Sequence, residues 1–275
     1  SIYMISNEEY PSYNRPMLTK SLAAGLEAEQ IAVKEASWYE ENNVYQMLGK
    51  NVTGIDTQKK EIYTADGAKF KYTKLIYALG SECFIPPIQG AEQPEVIAIR
   101  RLSDTRKVTE LLPQVKEAVG LEAAWELKKA HCKVTVLELA PRLMGRQLDE
   151  GAGEMIKAIS EAQGIAIHTG VQIEAIEGDG HVTGVRLGDG RVFPAQLVIV
   201  SCGVRANTAI AKAAGIETDR AVVVNSRMET NAADVYACGD CAQYQGVNYA
   251  IWPQAAEEGK VAGANAAGEA LEYAG

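Results

Sequence analysis

The sequence is poor in three things that many functions need: basic charge, histidine and paired cysteine. Lys and Arg number 27 against 36 Asp and Glu, a net charge of -9 over 275 residues. Nucleic-acid binding needs a basic face to neutralise phosphates, so that class is excluded. A dinucleotide ligand is not excluded, because backbone N–H groups and helix N-termini hold such molecules with few lysines. The five cysteines (Cys83, Cys132, Cys202, Cys238 and Cys241) are odd in number and scattered, which argues against a disulfide framework and for a reducing cytoplasm. His131, His168 and His181 share no ligand spacing; each is expected on a surface or in a turn, with no metal site. No apolar run approaches the length of a membrane span, and no basic-then-apolar start marks a signal peptide.

What is present is a repeat. A hydrophobic content of 47% supplies enough core for two domains. Residues 44–80 and 165–203 each hold a short strand, a glycine (Gly49 or Gly170), an alternating strand, and a strand ending in an Asp-Gly turn (Asp66-Gly67 or Asp189-Gly190). Alternation with Asp-Gly between strands marks an antiparallel hairpin. Each copy closes on an unbroken apolar strand, 75–79 or 197–200, that reaches a glycine, Gly80 or Gly203, thirteen residues after the turn glycine. A run without alternation reads as a strand buried on both faces of a parallel sheet. Each copy therefore reads as the second half of a nucleotide-binding domain, a meander leading back into a central parallel strand. Two copies imply two nucleotide sites.

Helices fall where that plan needs them. Ser103-Asp104 can cap one running to about Glu117, and Leu121, Ala124, Trp125 and Lys128 mark one face of another. Residues 149–163 make a third, ended by Gly164.

Thr230 to Asp240, TNAADVYACGD, resembles the second FAD fingerprint of the pyridine nucleotide-disulfide reductase superfamily, a strand ending in Gly-Asp. The resemblance implies that Asp240 accepts a hydrogen bond from the flavin ribityl chain and that a following helix aims its N-terminus at the phosphates. The residue types suit this, since Gly239 permits close backbone approach and Asp240 is a fixed acceptor. Residues 77–90, YALGSECFIPPIQG, resemble the superfamily's linker motif, and 201–208, SCGVRANT, its "CGVRPNT" segment near the end of the NAD domain. Residues 252–265, WPQAAEEGKVAGAN, resemble the helix whose N-terminus lies against the flavin ring. A positive helix end there would stabilise negative charge on the reduced ring.

Residues 13–20, YNRPMLTK, resemble a flavin-contacting segment of rubredoxin reductases, ferredoxin reductases and the flavin part of assimilatory nitrite reductase. Relatives with a redox cysteine near that position hand electrons to it, whereas here no cysteine precedes Cys83. The implied route is outward, to a rubredoxin, a ferredoxin or an attached metal centre. Cys238 and Cys241 form a C-x-x-C within the FAD fingerprint, read as small buried residues rather than a thioredoxin-like site.

The resemblance implies an α/β protein of two Rossmann-like, three-layer ββα dinucleotide-binding domains of the glutathione-reductase-like kind, one inserted in the other. The FAD domain would comprise 1–93 and 216–275, and the NAD(P)H domain 94–215. Expected FAD contacts are Glu8, Arg15, Pro16, Lys20, Ala78, Gly80, Gly239 and Asp240, with Lys20 and Trp252 as flavin neighbours. Expected NAD(P)H contacts are Gly120, Glu122, Glu138, Arg142 and Gly203. Glu138, eighteen residues past Gly120, suits the ribose hydroxyls and favours NADH, while Arg142 could soften that preference. No side chain is needed as a general base, because the cofactors supply the chemistry. Rival readings are an NADH oxidase or peroxide-reducing flavoprotein, and a redox-responsive flavoprotein acting as a binding partner.

Both glycine-rich phosphate loops of the family are missing. The first would precede Ser1, where residues 1–6 read as the second strand of the FAD domain; a further C-terminal domain would follow Gly275. The second should fall between Val119 and Gly120, where roughly eight residues of strand and turn are absent by the usual length of that unit. The expectation is that ordered pieces are joined there across a mobile segment, since a βαβ unit cannot lose its central strand and stay packed.

Overall fold

The computed structural model describes residues 1–23, 25–120, 123–145 and 147–275. Two compact units emerge, one of Ser1–Tyr13, Ala32–Glu82 and Val204–Gly275, the other of Asn14–Ile31 and Cys83–Gly203. These boundaries differ from the expected 1–93, 94–215 and 216–275. The linker beyond Cys83 packs on the second unit: Gln89 O accepts from Ile176 N at 2.8 Å. Residues Asn14–Ile31 join that unit too, with Leu22 buried beside Val108 and Leu127 and its carbonyl accepting from the Thr109 hydroxyl at 3.2 Å.

The chain opens with β1 (Ile2–Ile5), paired in parallel with β2 (Val44–Met47). A meander follows, β3 (Val52–Asp56), β4 (Glu61–Thr64) and β5 (Lys69–Lys71), leading into β6 (Leu75–Tyr77). The second unit runs β7 (Val96–Ile97), α1 (Leu102–Leu111), β8 (Glu117–Val119), α2 (Ala124–Lys129), β9 (Lys133–Glu138), α3 (Glu150–Ala162) and β10 (Ala166–Thr169). Its own meander, β11 (Ile173–Glu177), β12 (Gly184–Leu187) and β13 (Val192–Pro194), leads into β14 (Leu197–Ile199). Back in the first unit, β15 (Val235–Ala237) pairs in parallel with β6, and α4 (Trp252–Ala266) follows.

The second unit shows three layers. Its parallel sheet has the order β10-β9-β8-β14-β7. Period-two alternation sends Ala118, Leu197 and Ile199 toward the helices, packed with Val108 and Leu127, and Val119 and Val198 toward the meander, packed with Ile176 and Val185. All three residues of β14 are buried, which matches its unbroken apolar sequence. Each such side chain contributes roughly 1.5–3 kcal/mol by leaving water.

The repeat holds at the level of register. In the first meander Val52 faces Thr64, the ladder slips, and Gly54, Ile55 and Asp56 face Tyr63, Ile62 and Glu61. In the second, Ile173 faces Leu187, the ladder slips at the same place, and Ala175, Ile176 and Glu177 face Arg186, Val185 and Gly184. A bulge at one position in both copies is a shared architectural feature rather than a chance resemblance of two hairpins.

Several expectations are corrected. The central strand of the second unit is not missing: Glu117–Val119 fills the slot between β9 and β14, and Gly120 N continues the ladder by donating to Thr135 O at 3.1 Å. The sheet thus runs on through Gly120. The helix expected from Ser103 to Glu117 ends at Leu111, gives one 3-10 turn at Leu112–Gln114 containing Pro113, and leaves Glu117 free for β8. Its start is held by Asp104, whose carboxylate accepts from Arg100 N and Arg101 N at 2.9 and 2.8 Å. On α2 the core face is Ala124 and Leu127, and Trp125 points outward at 49% exposure; Leu121 lies outside the described residues. His168 is neither in a turn nor on the open surface, being half-buried in β10 against the Phe193 ring at 4.7 Å.

The first unit departs from its repeat in one respect. Among the described residues its parallel strands form three separate two-stranded ladders, β1-β2, β6-β15 and Val222–Val224 with Ala242–Tyr244. β6, expected to be buried on both faces, leaves Ile76 39% exposed, and Ile2 and Tyr3 of β1 stand 62% and 60% exposed.

Candidate functional site

In the first unit, the carboxyl ends of β6 and β15 bring four of the expected residues together. Ala78 and Gly80 follow β6, and Gly239 and Asp240 follow β15, with Cys238 N donating to Tyr77 O at 3.2 Å between the two chains. Gly80 and Gly239 both have positive φ, 64° and 75°, so the two strands turn away sharply where glycine is tolerated without cost. Asn207 closes the β6 end, donating from its backbone to Gly80 O and from its side chain to Leu79 O, each at 2.9 Å. Tyr77 donates to Asn207 O at 2.7 Å, and burial pushes its hydroxyl pKa up to about 12.

The Asp240 carboxylate accepts from the Ser81 hydroxyl at 2.9 Å, and Ser81 is itself buried. Gly239 N donates to the carboxylate of Glu258 at 2.7 Å, and Asn248 donates to the carbonyls of Asp240 and Ala242 at 3.0 and 2.6 Å. Ser81, Asn248 and Glu258 were missed as site residues from sequence. Ser81 directly follows the glycine of the linker motif, a signal available there; the other two show none until the fold places them.

The helix expected after Asp240 is not there. Gly239–Cys241 is a single 3-10 turn and Ala242–Tyr244 is a strand, so no helix directly follows the fingerprint, and the next one is α4 from Trp252. Cys238 and Cys241 are buried free thiols, and desolvation pushes both up to about 12, which makes them poor nucleophiles.

Glu8 lies just past β1 and accepts a hydrogen bond from the Tyr13 hydroxyl. Arg15, Pro16 and Lys20 belong instead to the second compact unit, where Arg15 donates to Arg100 O at 2.8 Å. Trp252 opens α4 at 41% exposure. A flavin's hydroxyl-rich chain fits the first unit on two observations. A Cβ built on Gly239 would meet only Ala255, at 3.6 Å, leaving close access to the Asp240 turn. In the first turn of α4, Gln254 Oε1 is buried with no hydrogen-bond partner among the described residues, an acceptor open to a donor.

In the second unit, Gly120, Glu138 and Gly203 lie at the carboxyl ends of β8, β9 and β14, the usual ligand side of an open parallel sheet. Cys202 sits there too, its thiol raised by burial and by the Glu138 charge. Glu138 accepts from Ala140 N at 2.7 Å, and Arg142 folds back to donate to Gly145 O at 3.1 Å, while its buried Nε has no partner among the described residues. Glu122 lies outside the described residues. Three residues separate Gly120 from the first residue of α2, and none is glycine. Gly120 serves packing, since a Cβ on it would lie 2.8 Å from Ile199 Cβ. The sequence between Gly120 and α2 therefore lacks the further glycines of a diphosphate-binding loop.

The match to known proteins decides the family: the description "Pyridine nucleotide-disulphide oxidoreductase" fits residues 1–259. The chain belongs to that family. The oxidoreductase chain is 36% identical over 267 residues to the nitrite reductase [NAD(P)H] of Bacillus subtilis (strain 168), covering 94% of this chain but 33% of that protein. It is 32% identical to the rubredoxin-NAD(+) reductase of Pseudomonas putida, covering 88% of this chain and 65% of that one. Among solved structures, NADH:rubredoxin oxidoreductase from Clostridium acetobutylicum superposes with a TM-score of 0.86 at 28% identity, over 100% of this chain and 70% of that one. The chain thus spans between about a third and two thirds of the curated relatives it matches most strongly. No helix among its described residues is long and apolar enough to cross a membrane.

Proposed function

We propose that this oxidoreductase is the two-nucleotide core of an FAD-dependent enzyme that takes hydride from NAD(P)H and delivers electrons to an external one-electron acceptor. The acceptor class is a rubredoxin, a ferredoxin or a nitrite-reductase-type metal centre, and the compartment is the cytoplasm. The observation that carries the reading is the Asp240 carboxylate, fixed by buried Ser81 at the end of β15 in a turn that α4 holds through Glu258. A bound flavin supplies the conversion of a two-electron donor into one-electron deliveries.

The chain's own residues bind and orient. Asp240 accepts from a ribityl hydroxyl, and Ser81 keeps its carboxylate from rotating away. Glu8, Ala78 and Gly80 complete the proposed FAD contacts of the first unit, with Arg15, Pro16, Lys20 and Trp252 proposed as flavin neighbours. Gly203 and Glu138 serve the pyridine nucleotide, and Glu138 favours NADH because a carboxylate repels a 2′-phosphate. Buried Cys238 and Cys241 support delivery to an outside acceptor, because neither offers a thiolate to the flavin.

The test is an anaerobic absorbance spectrum of the protein incubated with FAD, before and after one equivalent of NADH, then with oxidised rubredoxin or ferredoxin. Bound flavin that bleaches with NADH and recovers with the carrier is expected. Failure to bind flavin, or recovery with oxygen alone at an equal rate, would refute the reading.

A further inference from the structure

We propose that Glu258 is a positioning residue for the flavin site, fixing the Gly239–Asp240 turn so that the Asp240 carboxylate faces a flavin hydroxyl. The inference rests on the functional reading above.

Glu258 lies inside α4 and is 5% exposed, rare for an acid without a partner. Among the described residues no lysine or arginine pairs with it. Its one hydrogen bond among them is from Gly239 N, at 2.7 Å. Gly239 begins a 3-10 turn whose preceding residue, Cys238, gives no side-chain cap. Glu258 therefore does from a separate helix what a local cap would do. Ser81 and Asn248 grip the same turn as donors, one on the Asp240 carboxylate and one on its carbonyl. Glu258 is the acceptor that completes the set, so the turn is held from three segments of chain.

The groups facing Glu258 offer it no compensation. Asp240 and Cys238 lie on the turn, Tyr273 comes from the C-terminal segment, and Glu257 is its neighbour on α4. Burial, then the Asp240 charge, pushes the Glu258 carboxyl up from its ordinary value. An apolar side chain of similar volume would pack here at less cost. The acid's specific service is the bond to Gly239 N.

The test measures FAD dissociation constants and apo-protein melting temperatures for wild type, E258Q, E258L, D240A and the D240A/E258L double variant. Glutamine keeps an acceptor for Gly239 N, so E258Q is expected to bind FAD within about threefold of wild type, whereas E258L weakens binding by roughly ten- to a hundredfold. Because Glu258 acts through Asp240, adding E258L to D240A should change affinity by less than about threefold. A merely structural role would weaken binding equally in both backgrounds. Where E258L does not fold, E258D, which withdraws the acceptor by one methylene, replaces it with an expected loss of about tenfold that likewise vanishes beside D240A. Additive losses, or an E258Q as weak as E258L, would overturn the inference while leaving the functional reading intact. A wild-type protein that binds no flavin overturns that reading and this inference with it.

Discussion

Gly120 offers a sharp test of how the second unit is packed. A Cβ there would stand 2.8 Å from Ile199 Cβ and 3.1 Å from Ile199 O, against about 3.5–4.0 Å for a comfortable carbon contact. Neither side can retreat. Gly120 N is bonded to Thr135 O at 3.1 Å, and Val200 N, beside Ile199, is bonded to Ile97 O at 2.9 Å. In Gly120→Ala either β8 and β14 separate or one of these bonds is lost. Overpacking costs about 1–3 kcal/mol, or a lost backbone bond about 1 kcal/mol, and at a φ of +158° alanine gains nothing to offset this from a restricted unfolded chain. The net is about 1–3 kcal/mol, a fall in melting temperature of roughly 2–12 °C. Calorimetry of wild type and variant reads this directly. Gly259→Ala, on α4 with nothing within 4 Å of the added carbon, is the control and should stabilise by about 0.5–1 kcal/mol. A Gly120→Ala protein melting within 1 °C of wild type would refute the packing argument.

Three other outcomes follow from features of the site and its frame. Titration of the native protein with a disulfide reagent should show one thiol, Cys202, reacting ahead of the rest though slower than a free cysteine, because it is exposed with a raised pKa while Cys132, Cys238 and Cys241 are buried and Cys83 is half-buried; a leading phase that survives Cys202→Ala contradicts this. Asp234 is gripped by Lys60 and Lys74, which lower its pKa from 3.8 to about 2. A depressed carboxylate stabilises above its unfolded pKa and loses that contribution as pH falls through its folded one. Urea midpoints of wild type and Asp234→Asn should therefore converge between pH 4 and about pH 2, and a constant difference down to pH 2 would exclude the mechanism. Inserting a glycine-rich turn between Val119 and Gly120 should tighten NADH binding by about a hundredfold, the worth of two charge-assisted N–H contacts to a diphosphate; equal dissociation constants would show that the turn does not limit affinity.

Much of this was legible in the residues because the repeat carries its own punctuation. Asp66-Gly67 and Asp189-Gly190 set two hairpins, and the apolar runs after them became β6 and β14, down to a bulge at matching positions. Propensity and pattern act over a few residues, and where they sufficed the expectation held. Misreadings came where tertiary context decides. Val115 to Val119 is too short to announce itself as a central strand, and its identity comes from the neighbours that bond it on both sides. Trp125 looks like a core residue by type, but the narrow face of α2 is filled by Ala124 and Leu127. At the site, Asp240 was marked by a local motif, whereas Glu258 gains its meaning only through a partner nineteen residues away in the chain.

The split between β1-β2 and β6-β15 affects how the first unit breathes. In the second unit β8 is bonded on both flanks, so opening any one strand disturbs a five-stranded block. In the first, each ladder has only two strands and can fray without loosening the other. Amide hydrogens of 2–5 and 75–77 should consequently exchange far sooner than those of 117–119 and 197–199.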